Sequence, residues 1–344
     1  MPTAEAAGCV LAHSLRLPDG TLKKGVVLGP EELQRLEAAG IDSVVAARLE
    51  SDDVAEDAAA EQVARALAGA DADIGRASTG RVNVYARHGG LMVLDAARVN
   101  AANAVHESLT IATLHTESPV STGQMLATVK IIPYAVPRVA LAQVLQCLRG
   151  NAEAASGRRA LRVAAWRRVT VGLVMTRLPG TAESVLAKMR EAVVSRLEPL
   201  DASLTVEEIV LHEPQALAEA LQRMVRRQEA PRLLLVSGIA ATVDRLDVVP
   251  AAIVAAGGHV RHAGMPVDPG NLLVLAELGD GGSIPVVGIP TCARSPKLNG
   301  FDFVLRRLAA GEKVQSADIM AMGVGGLLTE IESRPMPRDP RRRG

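Results

Sequence analysis

The sequence predicts an α/β protein, with a three-layer αβα domain on a mainly parallel sheet preceded by a smaller α+β domain. Three observations predict it. From residue 169 onward, short apolar runs alternate with helical segments, the order that gives parallel strands covered on both faces. Before residue 150, hairpin-like pairs and helices follow no such regular order. Between them lies GNAEAASGRR (150–159), which combines Gly, Ser and charge with no apolar period and reads as a linker. The expected domains are therefore 1–155 and 156–332, followed by a basic tail over 333–344.

In chain order, Lys23-Lys24-Gly25 precedes an apolar run at 26–28, Gly29-Pro30 opens a helix and Gly40 closes it. Residues 41–47 read as a strand. The acidic stretch 50–57 leads into an alanine-rich helix reaching about residue 67, and 69–80 reads as a loop. Residues 81–95 carry a hairpin signal with its turn at His88-Gly89-Gly90. A polar helix over 96–106, strands over 108–114 and 125–133, and a helix over 138–148 complete the first domain.

In the second domain, strands are expected at 169–175, 204–211, 233–236, 259–263, 272–277 and 284–289. Helices are expected at 181–197, 214–226 with Pro214 in its first turn, 248–256 and 301–310. Residues 316–331 read as a helix interrupted by Gly323, Gly325 and Gly326. Right-handed crossovers would gather the loops after the strands on one rim, where α/β proteins bind ligands. Three loops qualify: 176–180, 237–247 and 290–299.

Composition narrows the function. Of 344 residues, 48% are hydrophobic and 22% charged, and 38 Lys and Arg balance 38 Asp and Glu, so no global field draws nucleic acid or an anionic membrane. The aromatic residues are Tyr85, Tyr134, Trp166, Phe301 and Phe303, too few for a base-stacking platform. The start MPTAEAAGCVLAH lacks a basic region with a long apolar core, and no later run reaches a membrane-spanning length; a cytoplasmic protein is expected. Cys9, Cys147 and Cys292 lie far apart, which argues against a disulfide framework.

Within the second rim loop, Asp247 is placed to start a helix, Thr242 offers a hydroxyl, and Asp244 and Arg245 are placed to pair with each other, a ligand or a metal. Within the third, Arg294, Ser295, Lys297 and Asn299 concentrate donors before a helix start, a pattern that suits a phosphate held by the helix dipole. No metal site is expected. His259 and His262 stand three apart on a strand and should face opposite ways, and His106, His115 and His212 lack ligand spacing.

The order of a strand, SGIAATVDRLDVVP, VDPGN and PVVGIPTCA resembles the molybdopterin-binding domain shared by molybdopterin adenylyltransferases and molybdopterin molybdenumtransferases. The likeness covers about 169–308. By position, Thr242 stands at the family's serine, Asp247 at its aspartate, Pro269 and Gly270 at its Pro-Gly pair beside Asn271, and Pro290 at the first proline of its last motif. The start of the chain, with its Lys-Lys-Gly, is similar to the molybdenumtransferases. The resemblance implies molybdopterin or its adenylylated form as the ligand, with molybdate and Mg²⁺ as accompanying species. It further implies a homo-oligomer that meets molybdoenzymes or a nucleotidyltransferase, and a role in cofactor biosynthesis or delivery.

Departures bear on catalysis. Arg177-Leu178-Pro179 stands where the family has Gly-Asp-Glu, and Ile239, Ala240, Asp244 and Thr291 replace glycines. Two active alternatives follow from the resemblance: a molybdenumtransferase in which Asp244 supplies the missing catalytic carboxylate, and a nucleotide pyrophosphatase built on the same domain.

Overall fold

A computed structural model describes residues 1–150, 159–279 and 284–328. Most of the expected linker and the whole basic tail lie outside the described residues. The chain divides into two compact units, Met1–Val163 and Ala164–Gly344. The division falls a few residues beyond the expected boundary because Leu161 and Val163 are buried in the core of the first unit, on a strand that pairs with Gly90–Leu94.

The first unit is mixed α and β with two separate cores. Residues 1–48 close around Leu11, Leu17, Leu22, Leu28, Leu36 and Val44. The second core lies under a four-stranded antiparallel sheet ordered Ala72–Ile74, Arg81–Ala86, Met125–Ile131, Leu109–Thr113. The helices Glu56–Leu67 and Arg138–Arg149 bury Val63, Leu67, Leu141 and Val144 in it. Three local expectations need correction. The strand expected at 41–47 is reduced to Ala46–Ala47, and the loop expected at 69–80 contains the strand Ala72–Ile74. The helix expected to reach 106 stops at Asn103, whose side-chain amide instead grips both backbone groups of Ile111.

The second unit carries strands β1 (Val169–Arg177), β2 (Ala202–Leu211), β3 (Leu233–Ser237), β4 (His259–Ala263), β5 (Val274–Leu278) and β6 (Ile284–Ile289). Its main helices are α1 (Glu183–Leu197), α2 (Pro214–Val225), α3 (Val248–Ala255) and α4 (Gly300–Ala309). The sheet order is β2-β1-β3-β6-β5-β4. Strands β2, β1, β3 and β6 run parallel, whereas β5 is antiparallel to both β6 and β4. The reason is chain length: the connections 264–273 and 279–283 are too short for the crossover that a parallel neighbour requires.

Side chains of β1 and β3 alternate between two cores. Val171, Leu173, Met175 and Leu235 join Leu186, Met189 and Val193 of α1 and Phe301, Val304 and Leu305 of α4. Val174, Leu234 and Val236 join Leu217 and Leu221 of α2 and Val249 and Ile253 of α3. Alternation along a strand sends neighbours to opposite faces, so the two clusters occupy the two sides of the sheet. The parallel strands end on one rim, where 178–182, 212–213, 238–247 and 290–299 emerge and where 264–273 joins β4 to β5. After α4 the expected long helix is a short one, Ser316–Met320, followed by a 3-10 turn over Ala321–Gly323.

Candidate functional site

Gly238, the first residue after β3, is the point on which the rim converges. A side chain there would lie 3.4 Å from Val249 Cγ2 in the first turn of α3 and 3.8 Å from Cε1 of His212. Its carbonyl, with that of Ile239, accepts from Nη2 of Arg294 at 2.9 Å each. The turn Thr291–Arg294 after β6, begun by buried Pro290, carries this arginine back toward the β3 loop. Burial pushes the guanidinium down from its ordinary range, and no carboxylate among the described residues pairs with it. Its Nε is buried and has no hydrogen-bond partner among the described residues.

The other side of the same dipeptide is held from β1. Thr176 is fully buried; its Oγ1 accepts from the Ile239 N–H at 2.9 Å and lies 2.8 Å from Nδ1 of His212. Nδ1 is the one acceptor within reach of this buried hydroxyl proton among the described residues, so the arrangement that leaves the proton paired has the neutral ring as the Nε2–H tautomer. Burial pushes the His212 imidazole down, with Asp247 pulling weakly the other way. Neither His212 nor the role of Thr176 is foreseen from sequence. The available signal is that His212 directly follows β2, on a rim loop left out of the expected set.

Asp247 occupies the position before α3 as expected, but its carboxylate turns away from the helix. Oδ2 accepts from the N–H groups of Val243 (2.6 Å) and Asp244 (2.9 Å), which hold its carboxyl below the usual carboxylate range. The N–H groups of Val248 and Val249 consequently have no acceptor among the described residues. Asp244 is engaged locally, its Oδ1 accepting from Leu246 N–H at 2.7 Å; Arg245 reaches the Val260 carbonyl rather than Asp244. Thr242 is half-buried on the same loop, and Val243 and Leu246 stand 76% and 87% exposed.

The expectation of a phosphate at the start of α4 is corrected, because the protein closes that helix itself. Gly300 N–H donates to Pro269 O (2.8 Å), Phe301 N–H to Asn299 Oδ1 (3.0 Å) and Asp302 N–H to Asn299 O (2.9 Å). Asn299 is 1% exposed, and its remaining amide donor reaches Cys292 Sγ at 3.2 Å. Arg196 of α1 pairs with Asp302 at 2.8 Å and holds the carbonyls of Ser295 and Lys297, so the backbone of these two is tied down. Ser295 Oγ accepts from the Lys297 N–H. Pro269 and Gly270 pack against α4, where a Cβ on Gly270 (φ +142°) would fall 2.7 Å from Gly300 N. Asn271 leaves its side chain exposed.

Thus Arg294, Gly238 and the start of α3 come together with His212 and Thr176, and Asp247 lies within reach of the ring. Asn299, Ser295 and the Pro269–Gly270 pair instead build the wall behind them. His259 and His262 also differ from expectation. A bulge between Val260 and His262 pairs them with Glu277 and Leu275, residues two apart on β5, so both face the same side. His262 Nδ1 lies 2.6 Å from Ser316 Oγ, and no group of three or more His, Cys, Asp or Glu able to hold a metal forms among the described residues.

Residues 1–48 match the family described as Domain of unknown function (DUF8806). No curated protein matches the chain. Among the described residues no helix is long and apolar enough to cross a membrane.

Proposed function

We propose that the chain binds molybdopterin or its adenylylated form at the β3–α3 loop and acts in molybdenum cofactor biosynthesis or delivery. The observation that carries this reading is Arg294, a partly desolvated guanidinium with no carboxylate partner among the described residues, fixed to the carbonyls of Gly238 and Ile239. A buried charge left uncompensated is costly, and an anionic ligand would offset that cost. The start of α3 adds two N–H groups and the positive end of its dipole. The same loop lies in the stretch that resembles the molybdopterin-binding domain. The two cores on either side of the sheet support the three-layer αβα architecture of that domain.

Binding is favoured over catalysis. Asp244, the one carboxylate offered as a substitute for the family's missing acidic residue, has Oδ1 engaged by the Leu246 N–H. No group of three or more His, Cys, Asp or Glu able to hold a metal forms among the described residues, and no step is assigned to Mg²⁺. On this reading Nη2 of Arg294 keeps the loop in shape while Nη1 and the α3 amides meet the phosphate. A cytoplasmic homo-oligomer that passes the ligand to molybdoenzymes or receives it from a nucleotidyltransferase completes the proposal.

Calorimetric titration of the full chain with molybdopterin tests it. Binding in the micromolar range is expected, and Arg294→Gln should weaken it by about tenfold or more, the loss of one charge-assisted contact. Absence of heat at high micromolar ligand with a folded sample sinks the reading.

A further inference from the structure

We infer that His212 and Arg294 together form a subsite for a terminal phosphate monoester, Arg294 from the β6 side of Gly238 and His212 from the β2 side. The inference rests on the ligand reading above and deepens it, because it selects a ligand that ends in a phosphomonoester over one whose phosphate is adenylylated.

The two groups share a single anchor. The Gly238 carbonyl holds Nη2 of Arg294, and a Cβ on Gly238 would lie 3.2 Å from Ala240 O, 3.4 Å from Val249 Cγ2 and 3.8 Å from Cε1 of His212. Gly238 is buried, so a side chain at this point would stand between α3, His212 and the loop. Thr176 fixes the ring from behind. With its hydroxyl proton directed at Nδ1, it leaves Nε2–H as the ring's remaining donor. A ring anchored through Nδ1 has its hydrogen-bonding capacity left only at Nε2.

The charges around the ring fit the same conclusion. From the loop before α3, Asp247 faces it, with Oδ2 already accepting from Val243 and Asp244. From the end of β1, Arg177 is paired with Glu183, and Glu213 follows the ring in the chain. Burial disfavours the imidazolium of the free ring. A phosphate dianion beside it favours the imidazolium, and a phosphate monoester, whose second ionisation lies near 6, supplies that dianion. Nε2–H already carries its proton and donates to the phosphate; the second proton enters at Nδ1 from solvent as the phosphate releases its own to solvent, so the dianion is held between two cations. The protonated Nδ1–H then donates to Thr176 Oγ1, which has a second lone pair for it beside the Ile239 contact. A phosphodiester has no second ionisation and carries one negative charge, so it favours the imidazolium less.

The test follows the His212 ring resonances in the full chain by ¹H–¹⁵N correlation, assigned by their loss in His212→Gln, with inorganic phosphate as the first probe and molybdopterin as the second. Millimolar inorganic phosphate is expected to raise the ring's titration midpoint by about one unit. Arg294→Gln should remove that shift. An unmoved midpoint with phosphate overturns the subsite. Molybdopterin binding with no change at His212 also overturns it and leaves the broader reading standing. Phosphate shifting His212 while molybdopterin fails to bind keeps the subsite and discards the pterin. Equal affinity for molybdopterin and its adenylylated form would refute the preference for a monoester.

Discussion

Helices α3 and α4 both begin on the same rim, and each is preceded by a residue of the type that caps helices, Asp247 and Asn299. They use it in opposite ways. Asn299 turns into α4 and, with Asp302, satisfies the first turn, so that end of the helix is closed to solvent and to ligands. Asp247 turns back into its loop, and the amides of Val248 and Val249 remain open. A residue type at a helix start therefore marks either a wall or a site, and the direction of one side chain decides which.

The largest effect should come from breaking the wall. Arg196 and Asp302 are 8% and 11% exposed and hold the loop before α4, so Arg196→Met leaves a buried carboxylate unpaired. A loss of about 3–5 kcal/mol is expected in urea denaturation, with Arg196→Met/Asp302→Leu recovering part of it. A loss under 1 kcal/mol would mean that the pair does not hold this wall.

The two caps can then be set against each other. Asn299→Ala should cost about 1–2 kcal/mol through lost capping. Asp247→Ala should leave the melting temperature nearly unchanged while protease cuts the 238–247 loop faster, since its carboxylate holds the loop and not the helix. Equal effects on melting would remove the distinction.

The smallest effect concerns pH. The folded-state pKa of His212 lies below its unfolded value of 6.5, so the unfolded chain takes up the proton first. The stability this ring contributes is complete above pH 6.5 and declines as pH falls through the folded pKa. Denaturant midpoints between pH 5 and 8 should show this decline in the native chain and a flatter profile in His212→Gln, provided both are compared without phosphate.

Much of the second unit was legible because proline and glycine punctuate it. Pro214 opens α2, apolar runs mark β1, β3 and β6, and small residues follow β3. The direction of β5 was not legible: buried strands read the same in either sense, and only the shortness of the connections on both sides of it decides. The closed start of α4 was written in the spacing Asn299-x-x-Asp302, a capping box, yet the nearby cations drew attention to a ligand instead. The pair of Thr176 and His212 was hidden because it joins the ends of two different strands, and no local spacing records which strands become neighbours. Arg294 is placed on the loop after β6 from sequence, but its contact with Gly238 depends on β3 and β6 lying side by side.

The separate core of residues 1–48 has a consequence for ancestry. The family match ends at residue 48, and the residues that fill this core, from Ala6 to Val44, fall inside it. A stretch that packs mainly upon itself can be exchanged between genes as one piece, and its history need not be that of the domain that carries the rim.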